Sequence, residues 1–204
     1  MKADILQIGK EVLKNEAAAV ALVSKKLTPS FLTAVELLYH TKGKVILSGL
    51  GKSGLVARKI AATLSSTGTV SLFVHPVEAL HGDLGMISKK DVMIVISHSG
   101  ETIELINFAN IIKNFRNKII AITAETDSTL AKMADMVLPT YVKEEACKIC
   151  TTFNLAPTTS TLVTLALGDA VATALQELKD FKAQHFARFH PGGSLAGKLK
   201  LSEQ

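Results

Sequence analysis

Five apolar runs of strand length punctuate the chain: Lys44–Leu50, Val70–Pro76, Val92–His98, Lys118–Ala124 and Met136–Val142. They are rich in β-branched residues, and runs such as VMIVIS and KIIAIT are apolar throughout. A strand can be apolar on both sides only where both of its faces are covered. Between the runs the spacing turns helical, over Ser53–Thr67, Val77–Leu84, Glu101–Asn114 and Ser128–Ala134. Strands that alternate with helices pair in parallel, because each crossover needs the length of a helix. The pattern therefore predicts an open, doubly wound α/β sheet. Two helices precede it (about Ala3–Ser24 and Pro29–His40), and a long one follows at Pro157–Lys179. That last helix is apolar on most of its circumference, which predicts burial all round, in the core or against a second subunit. No repeat or linker divides the chain, so residues 1–204 are read as one domain.

Composition narrows the partners. Hydrophobic residues make up 48% and aromatics only 5%, which gives an aliphatic core and suits an α/β fold. The net charge is +5, but the basic residues are dispersed and nowhere combine with aromatics into a stripe. Nucleic acid is therefore not expected as a partner, whereas a small anionic substrate suits the mild positive field. The N-terminal MKADILQIGKEVLKNEAAAV carries charges throughout, as an amphipathic helix and not a signal peptide. No stretch reaches the uninterrupted apolar length of a membrane span, so no membrane partner is expected. Two cysteines, Cys147 and Cys150, make no disulfide framework, and a cytoplasmic location follows. Zinc would need two further ligands beside this C-x-x-C pair, and no metal is assigned.

In open sheets of this kind ligands bind beyond the carboxyl ends of the strands. After the first strand comes SGLGKSGLVARKI, which matches two phosphate loops at once. A dinucleotide site needs an acidic residue about 20 positions on; His75 and Pro76 stand at the end of the second strand instead. An ATP loop needs glycine five positions before Gly51, where Ile46 stands. No nucleotide cofactor is therefore expected. What survives is a helix N-terminus that favours anions, with Ser48, Gly51, Ser53 and the cation of Lys52 around it. The third strand leads into SHSGET, where Ser97, Ser99 and Thr102 offer three hydroxyls around one glycine at a helix start. This is the better phosphate site.

Together GLGKSG, HPVEALHGDLGM, SHSGETIE, KEEAC, NLAPTTST and HPGGSLAGKL resemble, in order, the sugar isomerase (SIS) domain of arabinose-5-phosphate isomerases, over Gly43–Leu199. The resemblance implies a flavodoxin-like fold, a five-stranded parallel sheet flanked by helices. It implies interconversion of D-arabinose 5-phosphate and D-ribulose 5-phosphate, feeding Kdo synthesis for lipopolysaccharide or capsule, and a homotetramer with shared active sites. Carried over by motif, the family's catalytic residues fall on Lys52, His81, Glu104, Glu145 and His190, and its phosphate hydroxyls on Ser97, Ser99 and Thr102. Two departures stand out: His98 replaces the usual asparagine, and the segment KICTTF after Cys147 is longer than usual. Many relatives carry a C-terminal pair of CBS domains; this sequence stops at Gln204 and is expected to be a single-domain form.

Aldose–ketose isomerisation moves a proton between C1 and C2 through an enediol(ate), so it needs a base, donors for O1 and O2 and no redox cofactor. Glu145 and Glu104 are candidate bases, His81 and His190 candidate acids. Glu145 sits in a loop with no evident structural duty, whereas Glu104 on a first helical turn is favoured there by the helix dipole alone. Two alternatives remain. One is another isomerase of the same fold, acting for example on hexulose 6-phosphates. The other is a sugar-phosphate-binding regulatory module, which would carry a fused DNA-binding helix-turn-helix and lack the acid–base residues.

Overall fold

The computed structural model describes residues 4–146 and 155–191. Five parallel strands form one sheet in the order β2-β1-β3-β4-β5: β1 (Val45–Gly49), β2 (Ser71–Phe73), β3 (Val92–Ile96), β4 (Lys118–Thr123) and β5 (Met136–Pro139). Val45, Val92 and Lys118 stand side by side at its lower edge. This is the flavodoxin-like order, with the direction of winding reversing between β1 and β3. Each strand falls inside its predicted run. β2 is the shortest, because Pro76 opens a new helix where the sequence predicted strand.

Alternate side chains of the buried strands feed two cores. Val45, Leu47, Ile94 and Ile120 face one side, where they pack with α3 (Gly51–Ser66) and α7 (Thr159–Leu178). Ile46, Met93, Val95 and Ile119 face the other, against α5 (Ile103–Asn114) and the short α4 (Pro76–Ala79) and α6 (Thr129–Met133). The predicted helix Val77–Leu84 is instead α4 followed by a 3₁₀ turn at Asp83–Met86. Helices α1 (Ile5–Lys25) and α2 (Pro29–His40) lie on the α7 side, and α8 (Ala183–Phe189) was not foreseen from the sequence.

Among the described residues α7 is the one unbroken helix whose length and composition would suffice for a span, although Asp169 interrupts its apolar run. Within the chain α7 is buried along one side. A stripe through Val163, Leu167, Val171 and Leu175 is buried, with Gly168 against Ile60, whereas Leu162 and Leu178 remain exposed. On α1 only Val23 is buried, and Ile5, Leu6 and Leu13 face outward.

The lower edge of the sheet is tied by one carboxylate. Asp91, its side chain fully buried, accepts from the Lys44 N–H (2.8 Å), the Ser88 N–H (2.8 Å) and the Ser88 hydroxyl (2.9 Å), and pairs with Lys44 Nζ (3.1 Å). Asn117 Nδ2 donates to the carbonyls of Ser88 (2.7 Å) and Asp91 (2.8 Å), joining a third loop. Burial works against the Asp91 charge, yet the hydrogen bonds from Lys44 and Ser88 outweigh it and hold the carboxyl below its ordinary range. Asp91→Ala leaves two buried N–H groups without an acceptor and should cost about 2–4 kcal/mol in urea unfolding at neutral pH. Because the folded-state pKa is depressed, this contribution is complete above about pH 4 and is lost as the pH falls through the folded value. The gap between wild type and variant should therefore close in acid, and a gap independent of pH would show that the carboxylate charge plays no part.

Candidate active site

The crossovers from β1 and β3 leave on opposite faces. Helix α3 joins the core of Val45 and Leu47, and α5 joins that of Ile46 and Met93. Parting chains leave a crevice at the carboxyl edge between these two strands, and three helix starts open around it.

The turn after β3 is the most highly determined. Buried Ser97 accepts from the Gly100 N–H (3.1 Å), and its hydroxyl lies 3.2 Å from that of Thr102, which caps α5. Exposed Ser99 accepts from the Glu101 N–H (3.2 Å). Gly100 has φ +67°, and a Cβ there would meet the Ser128 hydroxyl. The neighbouring segment locks the turn from outside: Leu130 N–H donates to the Gly100 carbonyl (3.0 Å) and Thr129 N–H to the Glu101 carboxylate (2.7 Å). Thr123 Oγ1 and Ala124 N–H both donate to the His98 carbonyl (3.1 and 3.0 Å). Thr123, Ser128 and Thr129 were missed in the sequence, where nothing in spacing or motif marks them as supports of a loop some 25 residues away. Three hydroxyls and a helix N-terminus thus lie within one short turn, a composition suited to an anion with several acceptor oxygens.

On the first loop, Gly51 opens α3 and Lys52 stands exposed in its first turn beside half-buried Ser53. Ser48, near the end of β1, is fully buried on the face shared with Ile46, and its hydroxyl has no partner among the described residues.

Glu145 has the structural duty that the sequence did not reveal. It is 8% exposed, and its Oε2 accepts from the N–H groups of Thr158 (2.9 Å) and Ser160 (3.1 Å) at the start of α7. Thr158 Oγ1 in turn accepts from the Ala146 N–H (2.9 Å). Burial raises the carboxyl's pKa; the hydrogen bonds from Ser160 and Thr158, and then the charge of nearby His98, more than reverse that, and Glu145 is held ionised. His98 also lines a narrow gap with Ser53, Ser160 and Thr164, so the β3 turn, the α3 start and the Glu145 anchor converge. Behind Glu145, toward α1, a cavity of about 430 Å³ is bounded by Asn15, Ala19, Tyr141, Glu144 and Thr159. Among the described residues no three His, Cys, Asp or Glu side chains lie close enough to share a metal ion.

Comparison with known proteins agrees with this geometry. A family model described as SIS domain matches residues 37–174. The chain belongs to the SIS domain family. It is 51% identical over 191 residues to arabinose 5-phosphate isomerase KpsF of Escherichia coli O6:H1 strain CFT073, covering 93% of this chain and 57% of that protein. It is 46% identical over 198 residues to arabinose 5-phosphate isomerase KdsD of Escherichia coli K12, covering 97% and 59%. The chain thus spans somewhat under three-fifths of the length of these curated relatives. A solved structure of an Escherichia coli CFT073 protein in complex with arabinose 5-phosphate superposes with a TM-score of 0.88 at 43% identity, covering 94% of this chain and all of that one.

The remaining expected residues of this SIS domain divide by position. Half-buried Glu104 lies in the first turn of α5, two residues past the N-cap position Thr102, and accepts no hydrogen bond from a described residue. His81 is exposed on the turn after α4. His190 is not brought to the crevice of its own chain. It follows α8, stacks on Phe186 with ring centroids 3.8 Å apart and bonds the Phe186 carbonyl through Nδ1 (2.8 Å). The α7–α8 junction is pinned at the opposite edge, where Lys179 Nζ donates to Thr69 Oγ1 (2.8 Å) and Phe181 covers Gly68. The 20 residues of α7 separate the Glu145 anchor from that edge by about 30 Å. Cys147, Cys150 and the two glycines after Pro191 lie outside the described residues.

Gly100→Ala tests the turn. A Cβ at positive φ, aimed at Ser128, should cost at least about 1–3 kcal/mol in urea unfolding. Stability within about 0.5 kcal/mol of wild type would mean that the turn is not held in this form.

Proposed function

We propose that this SIS domain is an aldose–ketose isomerase that interconverts D-arabinose 5-phosphate and D-ribulose 5-phosphate and feeds Kdo synthesis for lipopolysaccharide or capsule in the cytoplasm. One observation carries the reading: the hydroxyl-lined β3 turn, the α3 start and an ionised glutamate converge at one crevice, in a chain about half identical to proteins named for this activity. The arabinose 5-phosphate bound in the solved relative supports the same substrate.

The phosphate is bound by Ser97, Ser99 and Thr102 with the first amides of α5. It takes over hydrogen bonds that these hydroxyls now make within the turn. Lys52 meets the developing charge on O1 or O2 of the enediolate. Glu104, which accepts no hydrogen bond from a described residue, is the carboxylate that takes the C1 or C2 proton. Glu145, with an oxygen already committed to two amides, is the weaker base and orients the sugar. His81 and His190 move protons in ring opening. His190 follows α7, which runs about 30 Å away from the crevice, so its contribution comes from a second subunit, and the active form is a homo-oligomer, most simply the family's tetramer. The exposed apolar residues Ile5, Leu6 and Leu13 of α1, and the 150 Å³ hollow between α1 and α7, support such a partner.

Assayed against pentose and hexose phosphates with no NAD, ATP or divalent metal, the protein should turn over arabinose 5-phosphate and leave free arabinose untouched. Equal rates on both sugars would refute the phosphate assignment, and preference for a hexulose 6-phosphate would move the activity within the fold. Glu104→Gln should lower kcat about 10²–10⁴-fold with little change in stability, whereas Glu145→Gln should lower both activity and melting temperature. His190→Ala and Glu145→Ala proteins, each inactive alone, should regain activity when co-expressed, because mixed oligomers hold some intact sites. No recovery despite proven mixing would put His190 to work in its own subunit.

A further inference from the structure

Basic residues that look scattered in the sequence are gathered by the fold onto one edge. The loops that lead into β1, β3 and β4 are TKGK (Thr41–Lys44), MISKKD (Met86–Asp91) and KNFRNK (Lys113–Lys118). These strands are neighbours, and all enter the sheet from the same side, with Val45, Val92 and Lys118 in register. Strands lie about 4.8 Å apart, so the three loops fit within about 10 Å across the sheet. They carry Lys42, Lys44, Lys89, Lys90, Lys113, Arg116 and Lys118 against a single carboxylate, Asp91, which is buried beneath them. The whole chain has a net charge of only +5, so this edge holds its positive excess. Lys44 pairs with Asp91, and Lys118 with Asp135. The side chains of Lys42, Lys89, Lys90, Lys113 and Arg116 form no ion pair or hydrogen bond with a described residue, and all five residues are exposed. The Asp91–Asn117 tie fixes the loops relative to one another, so the charges are presented on a firm base.

We propose that this edge is a docking surface for an anionic lipid bilayer. The three loops are short turns side by side and supply no helix or ribbon of their own to enter a nucleic-acid groove. Phe115, between Asn114 and Arg116, is the one exposed aromatic of the three loops and offers no row of rings for stacked bases. A single apolar tip among cations suits the headgroup boundary, where phosphates meet the cations and the ring enters the acyl border. The crevice lies at the opposite edge of the sheet, so a docked molecule keeps it open to solvent. The proposal stands independently of the proposed activity.

Sedimentation with vesicles tests it on the purified full chain. The protein should pellet with phosphatidylcholine vesicles containing about one-third phosphatidylglycerol, stay in solution with phosphatidylcholine alone, and be released by added salt as the charges are screened. Each Lys or Arg near the surface strengthens binding about fivefold. The triple variant Lys89→Glu, Lys90→Glu, Arg116→Glu should therefore lower vesicle affinity by at least about a hundredfold, with unchanged circular dichroism. If that variant does not fold, the milder pair Lys42→Gln, Lys113→Gln should lower it about 25-fold. Reversing Lys10 and Lys14 on α1 should leave it intact. No preference for anionic vesicles, or undiminished binding by a folded edge variant, would overturn the proposal. So would binding to duplex DNA without binding to vesicles.

Discussion

Parallel pairing of β1 with β3 is the constraint on which the rest of the structure hangs. The two strands are adjacent in the sheet but not in sequence, and the crossovers that leave them must pass to opposite faces. Where the chains part, no backbone fills the carboxyl edge. The first turns of α3 and α5 therefore point their free amides at the same gap. At the other edge the strands enter together, and one buried carboxylate with one amide side chain holds three loops in line. One edge is thus built to receive a ligand and the other to be rigid.

The hydrogen bonds that build the site do two things. In the β3 turn the serine hydroxyls satisfy amides of the turn itself, which keeps the loop ordered by its own contacts. Glu145 is tied more tightly. Its carboxylate stands in for a cap on α7, an interaction worth about 0.5–2 kcal/mol, and those donors keep it charged although it is buried. A residue expected to act only in chemistry is therefore also part of the fold. Glu104, by contrast, accepts no hydrogen bond from a described residue.

Length sets the remaining geometry. Helix α7 starts at the crevice and ends at the opposite edge, where Lys179 and Phe181 fasten it to the α3–β2 connection. Its 20 residues span about 30 Å. The same helix leaves apolar positions uncovered beside a first helix that buries only Val23. Both features follow from where this one helix begins and ends.

The amino-acid order by itself determined the five strands and their parallel pairing, because runs such as VMIVI admit only a doubly covered strand. It also marked the S-H-S-G-E-T turn, whose hydroxyls, glycine and helix start lie within six residues. Such features are local, and periodicity or spacing displays them. Tertiary structure alone decided the matters that depend on residues far apart in the chain. It buried Ser48 completely, since the cover over a strand residue depends on the neighbouring elements. It gave Glu145 the α7 amides as partners and brought in Thr123, Ser128 and Thr129 to support a turn some 25 residues earlier. It carried His190 away from its own crevice, and it collected basic residues from three loops onto one edge, because parallel strands must all be entered from the same side.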